Sequence, residues 1–336
     1  MRRGGTRLAM AMTIIAAAHA QRAEKAFVIK GDGLRAREAG MKAAAEGRFV
    51  EAVPLLQKAV QTHPKRTDTE RLSAAEAENA LGGAFKALSR LEEATAAFQR
   101  AVGILDGLGA TGARDLAVVV NNLGSVRADA GRVQEAEELY HRALRITTAT
   151  NSGRASSSTA ARTADDDNDD DESSPGGSSG QSDSLISADA YNNLADLRHG
   201  AGRLDEARHL HERALDVRER VLGEEHGELA GSLNNVAVLL MDLKRPEEAL
   251  PLLRRAALLS KATTGAVHPQ YATALSNLAG ALTQLGRPSE AQPHLKRALS
   301  ISRKALGKEH KRTKAAASSL KACQAAIKAA GASSAP

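Results

Sequence analysis

Three columns of residues recur along this chain with one shared spacing, and this recurrence constrains the fold more than any other feature. Alanines that each follow a glutamate stand at Ala52, Ala94, Ala136, Ala207, Ala249 and Ala291, in steps of 42, 42, 71, 42 and 42 residues. A second alanine series, Ala59, Ala101, Ala143, Ala214, Ala256 and Ala298, keeps the same steps, as does a turn column of Gly47, Ser89, Gly131, Gly202, Lys244 and Gly286. A fixed period of this length marks a stacked repeat array, in which no unit can bury its apolar face alone. The long step exceeds the others by 29 residues, and the excess falls in a Ser-, Thr-, Gly- and Asp-rich stretch over 150–183. That stretch has too few apolar residues to offset its ordering entropy and is expected to be disordered.

Within a repeat the apolar spacing is helical. Val133, Ala136, Leu139, Tyr140, Ala143, Leu144 and Ile146 fall on one helix face, and Leu116, Val119, Val120, Leu123 and Val126 fall on another. Gly131-Arg132 between them reads as a C-cap and turn, and Pro246 and Pro288 follow the equivalent turn, where proline is tolerated in a first helical turn. Only seven residues are aromatic and none is tryptophan. A core of Ala, Leu and Val suits closely approaching helices; it disfavours sandwiches, propellers and base-stacking single-strand binders. The expected fold is all-α, a right-handed α-solenoid of six helix-turn-helix repeats over 34–149 and 184–310, closed by a basic capping helix over 311–330.

Asn122-Leu123-Gly124, then Gly131, Glu135-Ala136, Tyr140 and Arg142-Ala143-Leu144, resemble a tetratricopeptide repeat. The pattern returns at Asn193-Leu194-Ala195, Asn235-Val236-Ala237 and Asn277-Leu278-Ala279. The 42-residue period and the paired asparagines Asn121-Asn122, Asn192-Asn193 and Asn234-Asn235 are similar to the kinesin light chain subfamily. So is the linker Leu222-Gly223-Glu224-Glu225-His226, which recurs at Leu306-Gly307-Lys308-Glu309-His310. The resemblance spans residues 34–325 outside the insert. There are departures: Glu38 and Ala80 stand in the asparagine column, Arg127 and Arg198 stand where the family usually has an aromatic, and no heptads precede the first repeat.

The resemblance implies that the first helix of each repeat lines a concave groove, where an asparagine hydrogen-bonds a bound peptide's backbone. On that basis Asn122, Asn193, Asn235 and Asn277 form the expected peptide-binding ladder. Asp196, His199, Met241, Asp242, Thr283 and Gln284 are groove neighbours one turn on, and they mix charges without a readable preference. Asparagine is a poor helix-interior residue, so its repeated use calls for a partner, either a ligand or the neighbouring helix.

Other motifs carry less. His226, His268 and His310 share a column, but packed helices lie about 8–10 Å apart, too far for residues one repeat apart to share a metal ion, so these are expected to pack in loops. Gly31-Asp32-Gly33-Leu34-Arg35-Ala36 imitates a dinucleotide fingerprint without the βαβ context that chemistry needs. The single cysteine, Cys323, excludes an internal disulfide. No nucleophile elbow, HExxH motif or carboxylate pair in a plausible cleft is found, so neither catalysis nor a cofactor is expected.

The net charge of +6 conceals a segregation: seven acidic residues crowd into 165–172, while eight basic residues from Arg303 onward face only Glu309. Thr163 and Ser174 beside the acidic run are candidate phosphorylation sites. Arg2, Arg3 and Arg7, an apolar stretch from Leu8 to Ala18 and the Ala18-His19-Ala20 site fit a cleavable secretory or organelle-targeting segment over 1–20, with residues 21–33 as linker. A cytoplasmic chain with an untargeted N-terminus is the alternative. The functional expectation is a non-catalytic scaffold for protein or peptide ligands. Its alternatives are a cargo adaptor of the kinesin light chain kind, or a basic C-terminal end that binds nucleic acid or acidic surfaces; nucleic acid is the less favoured partner.

Overall fold

The computed structural model describes residues 32–62, 67–162 and 178–333. These residues form two compact units, divided at Asp165 and Asp166. The expected targeting segment, the acidic run, Thr163 and Ser174 all lie outside the described residues. Every element is helical; there is no strand among the described residues.

The first unit contains α1 (32–45), α2 (Phe49–Thr62), α3 (Asp68–Ala87), α4 (Leu91–Asp106), a short 3₁₀ turn at Gly109–Gly112, α5 (Ala113–Asp129) and α6 (Val133–Arg162). The second contains α7 (Ser178–Gly200), α8 (Leu204–Leu222), α9 (Leu229–Asp242), α10 (Pro246–Thr264), α11 (Pro269–Gln284), α12 (Pro288–Leu306) and α13 (Lys311–Ser333). Odd-numbered helices are the A helices of their repeats and even-numbered ones the B helices. From α3 to α12 each helix packs on its partner within the repeat, and each B helix that precedes an A helix of its own unit packs on that helix. Two boundaries differ from the sequence reading. Helix α6 continues to Arg162 and α7 begins at Ser178, so both ends of the stretch over 150–183 are helical.

The columns that set the period are the places where helices meet. All twelve alanines of the two series are fully buried, at 0% exposure. A side chain no larger than methyl lets helix backbones approach closely, so stability is spread over many small interfaces. The turn column adopts positive φ throughout, from 70° to 75° at Gly47, Gly131, Gly202 and Gly286 and about 60° at Ser89 and Lys244. Glycine reaches this region freely, whereas Ser89 and Lys244 adopt it at a cost.

Every B helix also opens with the same ion pair. Arg48, Arg90, Arg132, Arg203, Arg245 and Arg287 each reach Glu51, Glu93, Glu135, Glu206, Glu248 and Glu290 three residues on. The hydrogen bond from Arg287 holds the Glu290 carboxyl below its usual range, and Arg90 does the same to Glu93. These glutamates sit in the first turn, where negative charge complements the helix dipole.

Helix α13 closes the second unit as expected. Cys323 packs into the cluster containing Leu278, Leu282 and Leu295, with Leu320 and Ile327 against its edge. The Cys323 thiol donates to the Pro288 carbonyl over 3.1 Å, while Lys321 and Lys328 remain exposed.

Candidate functional site

The asparagine column lies half-buried on the A helices: Asn122 on α5, Asn193 on α7, Asn235 on α9 and Asn277 on α11. Two of the four amides bridge to the preceding A helix. Asn122 Nδ2 donates to Asn79 Oδ1 on α3 over 3.0 Å, and Asn277 Nδ2 donates to Asn234 Oδ1 on α9 over 2.8 Å. Neighbouring-helix bonding is therefore part of the column's role. A primary amide carries two N–H donors and a carbonyl with two lone pairs, and each bond spends one of them. Asn235 differs: among the described residues its side chain makes no hydrogen bond.

The charged neighbours also pair between successive A helices. His199 Nε2 lies 3.0 Å from Asp242 Oδ2, so these two expected groove residues are brought together. Lys86 on α3 meets Asp129 on α5 at 3.3 Å. Gln284 is exposed near the end of α11. Arg127 and Arg198, which replace the family's aromatic, are mostly buried and reach Glu135 and Glu206 at 3.3 and 3.4 Å. Each thus ties an A helix to the first turn of its B helix.

Asp196 lies at the exposed edge of a network, centred on a buried histidine, that is special to its repeat. The position of Phe98 and Tyr140 in earlier repeats is held here by His211, 2% exposed. Its Nδ1 accepts from the Asn192 amide over 2.8 Å, and the Asn192 oxygen accepts from the Arg218 guanidinium at 3.0 Å. With Nδ1 accepting, the proton of a neutral imidazole sits on Nε2, which faces Asp196 Oδ1 at 3.5 Å. Arg218 further binds Ser232 Oγ at 2.6 Å, and Asp189. The network links α7, α8 and α9.

The histidine column has a defined task that spacing did not reveal. His226, His268 and His310 each accept, at Nδ1, the backbone N–H two residues on, at 3.2 to 3.3 Å. They satisfy a donor at the start of α9, α11 and α13, as an N-cap side chain does. Among the described residues no group of three or more His, Cys, Asp or Glu is placed to hold a metal ion.

In the second unit one expected residue, Asn235, comes together with several polar residues outside the expected set. A pocket of about 280 Å³ is lined by Asn234 and Asn235 of α9, Gln270 and Thr273 of α11, and Arg312 of α13. A larger pocket of about 410 Å³ in the first unit is floored by Leu81 and Phe85. At its edge Arg100 clamps the buried Glu78 carboxylate with two bonds of 2.8 Å. Glu78 and Arg312 were not singled out in the sequence because neither belongs to the asparagine pattern.

A tetratricopeptide repeat family model matches residues 186–238, 228–304 and 272–329, and a second tetratricopeptide repeat model matches 116–152. Together the matches cover more than half of the chain, which belongs to the tetratricopeptide repeat family. Residues before 116 fall outside these matches, yet α3 and α4 pack as the later pairs do. No curated protein matches the chain.

Solved structures similar to this chain include RapI in its apo form, with a TM-score of 0.54 at 11% identity, covering 88% of this chain and 99% of that one. The PilF protein of Pseudomonas aeruginosa gives 0.52 at 15% identity, with 85% and 96% covered. BtubC (BKLC) from P. vanneervenii gives 0.50 at 21% identity, with 72% and 89% covered. At such identities the likeness shows the fold alone. Among the described residues no helix is long and apolar enough to cross a membrane.

Proposed function

We propose that this protein is a non-catalytic scaffold that binds extended peptide segments along the concave, A-helix surface of its repeats. One observation carries the reading: the asparagine amides recur at one A-helix position, half-buried, with hydrogen-bonding capacity left after the bonds to Asn79 and Asn234. An extended peptide offers a backbone N–H and C=O at each residue, which an amide can meet from either side. The scarcity of rings supports gripping by hydrogen bonds rather than by aromatic pockets.

The test is affinity capture with the full chain and with an Asn122→Ala, Asn193→Ala, Asn235→Ala, Asn277→Ala variant of unchanged helical content. Loss of the captured partners from the variant supports the reading, and retention of every partner removes it. A cleavable targeting segment over 1–20 is part of the same proposal. A native N-terminus at Gln21 supports it, and one that retains Arg2 and Arg3 contradicts it.

A further inference from the structure

We propose that the pocket of about 410 Å³ between α2, α3 and α4 receives an arginine side chain of a protein partner. It is a second site, separate from the A-helix surface described above. Its walls are the B helices α2 and α4, and no residue of the asparagine column lines it.

Comparison among the repeats supplies the occupant. Arg127 in the third repeat and Arg198 in the fourth leave their A helices to reach Glu135 and Glu206 at 3.3 and 3.4 Å. Each of these glutamates also holds the arginine that opens its B helix, so each meets two guanidinium groups. A carboxylate has lone pairs enough for both. In the second repeat Phe85 stands in the place of Arg127, and Glu93 in the place of Glu135. Among the described residues Glu93 meets one arginine only, Arg90. The second repeat also brings a further carboxylate to the pocket, Glu78, whose position carries Val120, Tyr191, Leu233 and Leu275 in later repeats.

The lining suits an arginine along its whole length. Val60, Leu81, Phe85 and Ala96 offer apolar surface to the methylene stem, and Glu78 and Glu93 offer acceptors to the planar head. Among the described residues Gln57 and Gln61 make no side-chain hydrogen bond, so their amide oxygens remain as acceptors. Arg100 is the one basic lining residue, and it is committed to Glu78 by two bonds of 2.8 Å. Arg90, which does not line the pocket, stacks over the Phe85 ring at 4.5 Å.

The probe is N-acetyl-arginine N-methylamide, which blocks arginine as a chain does. Its citrulline analogue is the neutral isostere, and its lysine analogue carries a point charge. Saturation-transfer NMR with the full chain reads binding. The arginine probe is expected to bind, the citrulline probe about tenfold more weakly, as loss of a charged hydrogen bond implies. The lysine probe should also bind more weakly than the arginine probe. Glu93→Gln is expected to weaken the arginine probe by about the same factor. Ala96→Leu should exclude the probe by filling the pocket, and Glu138 at the matching position of the third repeat shows that a longer side chain is accommodated there. The variant with all four column asparagines changed to alanine should bind the probe as the parent does. Absence of binding to the parent, equal binding of the arginine and citrulline probes, or full binding to Ala96→Leu overturns the proposal. Equal binding of the lysine probe overturns the assignment to arginine. None of these results touches the A-helix reading, whose test uses the four-asparagine variant.

Discussion

Gly124 of α5 lies against the ring of Tyr140 on α6 so closely that a β-carbon at Gly124 would stand 2.7 Å from Tyr140 Cε1. The same A-helix position carries Gly82 against Phe98 and Gly40 against Leu56. In the last three repeats it carries Ala195, Ala237 and Ala279, and the facing B-helix position carries His211, Leu253 and Leu295. The A-helix residue shrinks to glycine wherever the facing position bears a six-membered ring. Gly124→Ala is therefore expected to destabilise the protein by about 1–2 kcal/mol, overpacking outweighing the better helix propensity of alanine. Adding Tyr140→Leu should restore part of the loss, and urea unfolding of the two single variants and the double variant reads the coupling.

The turn column makes an opposite prediction. Ser89 and Lys244 hold φ near 60°, where the other four repeats use glycine. Ser89→Gly and Lys244→Gly should each stabilise by about 0.5–1 kcal/mol, since relief of left-handed strain exceeds the added freedom of the unfolded chain. Thermal melting checks this, and Gly131→Ala should lower the melting temperature.

Glu78 and Arg100 form an asymmetric pair: the carboxylate side chain is 1% exposed and the guanidinium side chain 50%. Arg100→Ala strands a buried charge and should cost about 2–3 kcal/mol, less than for a fully buried pair because water reaches the arginine. A Glu78→Leu, Arg100→Ala double variant should recover most of that stability, since Val120, Leu233 and Leu275 occupy the Glu78 position elsewhere. Chemical denaturation of both variants reads the difference.

His294 on α12 gives a pH dependence with a definite sign. Burial pushes its pKa below the ordinary 6.5, the neighbouring Arg254 adds to the shift, and Glu290 opposes it. Between the unfolded and folded values the unfolded chain binds more protons, so stability falls as pH falls. The contribution is fully present above pH 6.5 and is lost as pH falls through the lowered folded value. Equilibrium unfolding across this range should show a steeper acid-side loss for the parent protein than for His294→Gln.

Much of the fold was legible in the chain itself. The alanine columns proved fully buried, and the turn column proved left-handed at all six positions. Both recur at the same place in every repeat, which periodicity reports directly. The site was less legible because its contacts cross between repeats. Asn79 is bonded to Asn122, although its repeat has Ala80 in the ladder position. Arg312 lies at the start of a helix read only as a cap, and stacking of α13 on α12 brings it to the pocket that Asn235 also lines. The N-capping role of His226, His268 and His310 was hidden because histidine is not a usual capping residue. The extent of α6 and α7 into 150–183 was missed because composition, not periodicity, marked that boundary.

Cross-linking of a captured peptide tests the central claim most directly. A peptide that retains affinity for the full chain is made with a benzophenone side chain at successive positions, irradiated in the complex, and its attachment points are mapped by mass spectrometry. The account predicts attachment to the A helices α5, α7, α9 and α11, within a turn of Asn122, Asn193, Asn235 or Asn277. Attachment confined to the B helices α4, α6, α8, α10 and α12 would contradict it.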